Sequence, residues 1–137
     1  MSTRAKVVIK DKHSEQYFYR HSDGYPDGAL PTLNKFMSYI KTGQIRDNVM
    51  QASGWLILIG AQEYSSYWDH KGPMSADKKI KTKEEILEPI LDWKCGAYEP
   101  STDKIGWCDY VYMIDLDKKE LTYIKTSEPE KICKVGD

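Results

Sequence analysis

Five side chains carry the chemistry in this sequence: Arg20, His21, Asp23 and Tyr25, crowded into one short loop, and Asp109 far along the chain. His21 and Asp23 are two apart, so on extended backbone they share a face. A carboxylate beside an imidazole fixes its tautomer, and such a pair can act as base, acid or metal ligand. Arg20 has a planar fork suited to a phosphate or a carboxylate. The same residues also suit a purely structural turn. In that reading His21 bonds the loop, Asp23 forms an Asx-turn ahead of Gly24, and Arg20 makes an ordinary ion pair. The bracing reading is the favoured one for His21, Asp23 and Arg20.

The loop that holds them, Phe18-Tyr19-Arg20-His21-Ser22-Asp23-Gly24-Tyr25-Pro26-Asp27-Gly28, is dense in Gly and Pro. Gly reaches backbone angles that other residues resist, and Pro fixes one angle and removes a donor. The spacing predicts a positive φ at Gly24 or Gly28. It also places the loop between a strand and a helix.

Strands are expected at Val7-Val8-Ile9 and Tyr17-Phe18-Tyr19, joined by a polar hairpin loop at Asp11 to Glu15. Leu30, Leu33, Phe36, Met37 and Ile40 follow at helical spacing, with Pro31 in the first turn and Gly43 as a left-handed cap. Asp47 or Asn48 can cap a second helix whose stripe is Val49, Ala52, Leu56 and Ile59. Its run Trp55 to Ile59 also suits a buried strand, and the helix is favoured. Residues 65–81 read as loop. Thr82-Lys83-Glu84-Glu85 has the capping-box pattern of a short helix through Leu87, limited by Pro89. Trp93 to Tyr98, Tyr110 to Ile114 and Leu121 to Lys125 read as strands, the last two as a hairpin. The tail from Ser127 reads as frayed, with Ile132 and Val135 tacking it down.

These elements predict a single α+β domain over 1–137. Its sheet would hold about five antiparallel strands, an N-terminal hairpin plus a C-terminal meander in one sheet, with two central helices on one face. Tyr17, Tyr19, Tyr110, Tyr112 and Tyr123 alternate along the strands, so each strand's set points to one face. An open face of rings would be a stacking platform. Cover by the two helices is the expected outcome.

Bulk properties exclude several classes. The chain has 137 residues and a net charge of -1, with 30% charged residues. No whole-chain basic footprint for nucleic acid exists, so a nucleic-acid partner is not favoured. The longest apolar run, Trp55 to Ile59, is far below a membrane span, and Met1 to Lys6 has no apolar signal core behind it. Three cysteines, Cys95, Cys108 and Cys133, with no C-x-x-C spacing, point to a reduced, cytoplasmic protein. His21, Asp23, Asp109, Cys95, Cys108 and His70 match no known ligand spacing, so neither a metal nor another cofactor is expected. No P-loop, G-x-G-x-x-G, G-x-S-x-G or H-E-x-x-H string is present.

The opening Met1-Ser2-Thr3-Arg4, the string His21-x-Asp23-Gly24-Tyr25-Pro26 and the late Asp109-Tyr110-Val111-Tyr112 occur together and in this order. That combination resembles a group of small uncharacterised bacteriophage and prophage proteins that share an N-terminal MSTR and an H-x-D-G-Y-P motif. Asp109 stands where Glu is commoner in the group. The resemblance covers the N-terminal third and the hairpin near residues 108 to 125. It implies a mobile-element setting and no particular activity.

Two functions remain open from sequence. The preferred one is a small non-enzymatic binding module that docks a host or phage macromolecule, a protein partner above all, because Tyr and Trp are abundant and suit interface hot spots. The alternative is a small enzyme or nucleotide-ligand binder centred on His21, Asp23 and Arg20, with Asp109 from the neighbouring hairpin.

Overall fold

The computed structural model describes residues 3–68, 97–102 and 107–136. In chain order the elements are β1 (Ala5–Lys10), β2 (Glu15–Arg20), α1 (Pro26–Lys41), α2 (Val49–Trp68), β3 (Glu99–Ser101), β4 (Tyr110–Asp115), β5 (Glu120–Lys125) and β6 (Glu128–Lys134). They form an α+β fold with one sheet of order β3-β2-β1-β4-β5-β6. The two hairpins read from sequence thus share a sheet.

The sheet departs from the expected five antiparallel strands in two ways. It has six strands, and it is mixed, because β1 pairs with β4 in parallel, Ala5 opposite Tyr110 and Ile9 opposite Ile114. An antiparallel neighbour needs only a tight turn, whereas a parallel one needs a long crossover. The α1–α2 excursion supplies that length, so the chain re-enters beside β1 in the same direction. The added strand is β6, where the sequence suggested a frayed tail. Backbone bonding to β5 orders it, with Tyr123 opposite Cys133, while all seven of its residues stay exposed. Its Pro129 and its lysines are typical of a guarded edge, and polarity masked the strand signal.

At the opposite edge the expected strand over Trp93 to Tyr98 is displaced. Residues 93–96 lie outside the described residues, Ala97 and Tyr98 are buried but not in a strand, and the pairing segment is β3. Pro100 inside β3 is tolerated at an edge, where one side of the ladder needs no donor. The expected loop over 65–81 gives way to helix as far as Trp68. The Gly72-Pro73 stretch and the Thr82 capping box lie outside the described residues.

Helix α1 begins five residues earlier than Pro31 suggested. Pro26 holds the first-turn position, and Pro31 lies exposed inside the helix. Gly43 takes φ +80 as the left-handed stop. Helix α2 is capped by Asn48, whose Oδ1 accepts the Gln51 N–H at 2.9 Å. Asp11, in the β1–β2 turn, reaches the same helix start. Its Oδ1 accepts from the His13 and Ser14 N–H groups at 2.7 and 2.9 Å, and its Oδ2 from Val49 N–H at 3.2 Å. Those donors, led by His13, hold its carboxyl below the ordinary 3.8.

One core joins the helices to one sheet face. Val7, Ile9, Phe18, Tyr112, Ile114 and Leu121 meet Leu33, Phe36, Ile40, Ala52, Leu56 and Ile59. Strand alternation sends Val8 and Val111 to the other face, where they pack with Cys108, Tyr17 and Ile124. The tyrosines divide the same way. Tyr110, Tyr112 and Tyr123 pack in the helix-side core, and Tyr17 lies on the far face. Helix cover therefore holds for the C-terminal rings, fully for Tyr112 and in part for Tyr110 and Tyr123, whereas Tyr17 and Tyr19 lie on the face away from the helices, contrary to the expectation.

Candidate functional site

Arg20 ends β2 and alternates with Phe18, so its side chain enters the helix side of the sheet. It is 1% exposed, among the most buried side chains of the protein. Glu63 of α2 meets the guanidinium in a fork, with Nη2 to Oε2 at 2.8 Å and Nη1 to Oε1 at 3.3 Å. Nε donates to the Ser22 and Asp23 carbonyls at 2.9 and 3.3 Å, and Nη2 also to the Gly28 carbonyl at 3.4 Å. Thr32 of α1 donates to Glu63 Oε1 at 2.6 Å and accepts the Tyr98 hydroxyl at 3.2 Å. The Tyr98 ring lies against the guanidinium, 5.0 Å from centroid to Cζ. Burial pushes the Tyr98 hydroxyl above its ordinary value, so it stays a donor.

This network ties β2, the motif loop, both helices and the segment before β3 to one buried charge. A guanidinium so engaged would have to break internal bonds to clamp a phosphate from solution. The loop around it is built for close approach. The positive φ expected at Gly24 or Gly28 falls instead on Asp23, at φ 56. Asp tolerates the left-handed region better than most residues. The two glycines are required for space. A Cβ on Gly24 would lie 2.8 Å from the Ala5 Cβ and from the Thr3 carbonyl oxygen, and one on Gly28 would overlap the Asp23 carbonyl oxygen. Gly24 N–H donates to Thr3 O at 2.8 Å, and the buried Tyr112 hydroxyl donates to Gly24 O at 2.6 Å. Burial raises the Tyr112 hydroxyl far above its ordinary value, which keeps it protonated as that donor.

The remaining candidates point elsewhere. His21 is exposed, and its Nδ1 pairs with the Tyr19 hydroxyl at 2.8 Å, a phenol where a catalytic dyad would have a carboxylate. Asp23 has an exposed side chain, and its carbonyl is the part that Arg20 holds. Tyr25 caps α1 with extended backbone, its carbonyl accepting from Gly28 and Ala29 N–H at 2.9 and 3.0 Å. Asp109 pins the start of β4 to the start of β1: its Oδ2 accepts Arg4 N–H at 3.0 Å, and its own N–H donates to Arg4 O at 2.8 Å. Among the described residues no group of three or more His, Cys, Asp and Glu is placed to hold a metal ion. His70 and Cys95 lie outside them.

Cys108 is buried, and burial raises its thiol, a poor setting for a nucleophile. Cys133 is exposed on β6. Brief alkylation of the native protein at neutral pH, read by peptide mass spectrometry, should label Cys133 and spare Cys108 until denaturant is added. Equal labelling of both would contradict the packing around Val8 and Val111.

A different surface was not singled out from sequence. On α2 the stripe Val49, Ala52, Leu56 and Ile59 is buried, yet Met50, Trp55 and Leu58 outside it are 83, 42 and 45% exposed. Trp55, Leu58 and Ile59 face Tyr39 of α1 and Ile45 of the α1–α2 connection across a concavity of about 480 Å³. Lys35 Nζ bonds Gln62 Oε1 at 3.0 Å across its rim. The signal was present in the sequence, because an amphipathic helix has no use for three large apolar residues outside its stripe.

Comparison with protein-family models, with curated proteins and with solved structures finds no match. Among the described residues no helix is long and apolar enough to cross a membrane.

Proposed function

We propose that this chain is a small non-enzymatic binding module that docks a protein partner through the concavity between α1 and α2. The observation that carries the reading is the exposed apolar pair Trp55 and Leu58 of α2, which line this concavity with Tyr39 and Ile45. Contiguous exposed apolar surface marks interaction sites, and Trp is the side chain most enriched at binding hot spots. The resemblance to phage and prophage proteins supports a mobile-element setting, with a host or phage protein as partner. The unpaired thiols of Cys108 and Cys133 support a cytoplasmic one. The alternative, an enzyme or nucleotide-ligand binder at His21 and Asp23, has less support, because Arg20 is held by Glu63 and His21 pairs with Tyr19.

The test is capture from a bacterial host lysate with wild type, Trp55→Ala and His21→Ala in parallel. Trp55→Ala should weaken retention of the specific partner by about 30-fold, the size of a hot-spot loss of about 2 kcal/mol, while its melting stays near wild type. His21→Ala should retain the partner. A folded His21→Ala that loses it, with Trp55→Ala unaffected, would move the site to the motif loop.

A further inference from the structure

The apolar concavity does not end at Ile45 and Trp55. The same two residues and Gln44 also line a second basin, whose other walls include Lys41, Arg46, Asp47 and Lys119. A third hollow shares Lys41 and Lys119 with it and adds Lys118 and Lys134. Five cations, Lys41, Arg46, Lys118, Lys119 and Lys134, therefore line these two hollows beside the apolar concavity, on a chain whose net charge is only -1. The carboxylates among the described lining residues are Asp47 and Glu120, each in an exposed pair, Lys119–Asp47 at 3.3 Å and Lys134–Glu120 at 3.2 Å. Exposed pairs of this kind contribute little and exchange partners readily. The apolar concavity itself has no carboxylate among its described lining residues.

We propose that the occupant is an acidic, amphipathic segment of a partner protein. Its apolar ridge seats on Tyr39, Ile45, Trp55 and Leu58, and its carboxylates face Arg46 and the Lys119 end. This rests on the binding-module reading above and adds the partner's chemistry. Charge complementarity supports this: the apolar concavity meets the cationic basin at Gln44, Ile45 and Trp55, and an acidic amphipathic segment presents the matching change. A second copy of this chain fits poorly, because a two-fold contact through this surface would set its cationic half against either itself or the apolar half, and neither complements it. Nucleic acid fits less well: Tyr39 and Trp55 offer two ring faces, but aliphatic Ile45, Leu58 and Ile59 make up the rest of the apolar lining, which suits an apolar ridge better than stacked bases.

The experiment is selection of a random-peptide display library on the purified full chain, with Trp55→Ala as counter-selection. Light scattering and titration with fluorescent oligouridine accompany it. The expected peptides are rich in Asp or Glu beside apolar residues at helical spacing. A synthetic copy of one should bind at least about tenfold more weakly to Arg46→Glu/Lys119→Glu, and more weakly as salt is raised. Both sites are on the surface, and matched circular-dichroism melts show that the variant is folded. Trp55-dependent peptides that are neutral or basic would overturn the acidic partner and leave the groove reading intact. No Trp55-dependent peptide would overturn the groove itself. Trp55-dependent dimerisation, or Trp55-dependent oligouridine binding, would overturn the proposal in favour of a second copy or a nucleic acid.

Discussion

Arg20→Ala should destabilise the protein by about 3 kcal/mol, lowering the melting temperature by about 10 °C. Truncation leaves Glu63 of α2 without its cation, with the Thr32 hydroxyl still donating to it, and strips donors from the Ser22, Asp23 and Gly28 carbonyls. Loss of one member of a buried pair ordinarily costs about 3–5 kcal/mol. The lower figure applies here because Glu63 keeps 26% of its side chain exposed and can recover some solvation. Arg20→Lys should rescue little, since one ammonium cannot reproduce the fork to Glu63 and the Nε bond to Ser22 together. A double variant, Arg20→Met with Glu63→Leu, should recover part of the loss by removing both charges at once. Urea midpoints for the four proteins check this. A wild-type midpoint for Arg20→Ala would mean that the network is ornamental to stability.

The second large effect is a reversal of sign between glycines. Gly28 lies in the first turn of α1, and Gly54 in α2. In an exposed helix interior, Ala is better than Gly by about 1 kcal/mol. Gly54 has open space where a Cβ would go, so Gly54→Ala should stabilise by about that amount. Gly28→Ala must displace the Asp23 backbone, which Arg20 holds from the other side, and should cost about 1–3 kcal/mol. Gly24→Ala should behave like Gly28→Ala, pressed by Ala5 and the Thr3 carbonyl. Thermal melts of the three variants decide it. A stabilising Gly28→Ala would show that the loop has room the packing denies.

The periodic elements were legible in the sequence. Both hairpins, both helices, the Gly43 stop and the Asn48 cap follow from local spacing and chemistry. Pairing was not. The parallel contact of β1 with β4 is made by residues more than 100 positions apart, and nothing in Val7 or Tyr112 encodes which side of β1 the chain returns to. The polar β6 carries no apolar alternation, so only its backbone reveals it. The motif loop was read as a place where side chains are held, and it is one. Which residue does the holding depends on Glu63, Thr32 and Tyr98, distant in sequence and invisible from the loop. The positive φ fell on Asp23 because sequence separates a glycine chosen for its angle from one chosen for its size only when the neighbours are known. The exposed Trp55 and Leu58 of α2 are legible in the sequence as apolar residues outside the buried stripe.

The central claim is that partner recognition belongs to the α1–α2 surface, while the motif loop with Arg20 is a structural clasp. Hydrogen–deuterium exchange on the full chain, free and bound to a partner or selected peptide, tests this most directly. New protection should appear over Tyr39 to Arg46 and Met50 to Gln62, with exchange at Tyr19 to Tyr25 unchanged. Protection confined to Tyr19 to Tyr25, with the α1–α2 surface unaffected, would contradict the account.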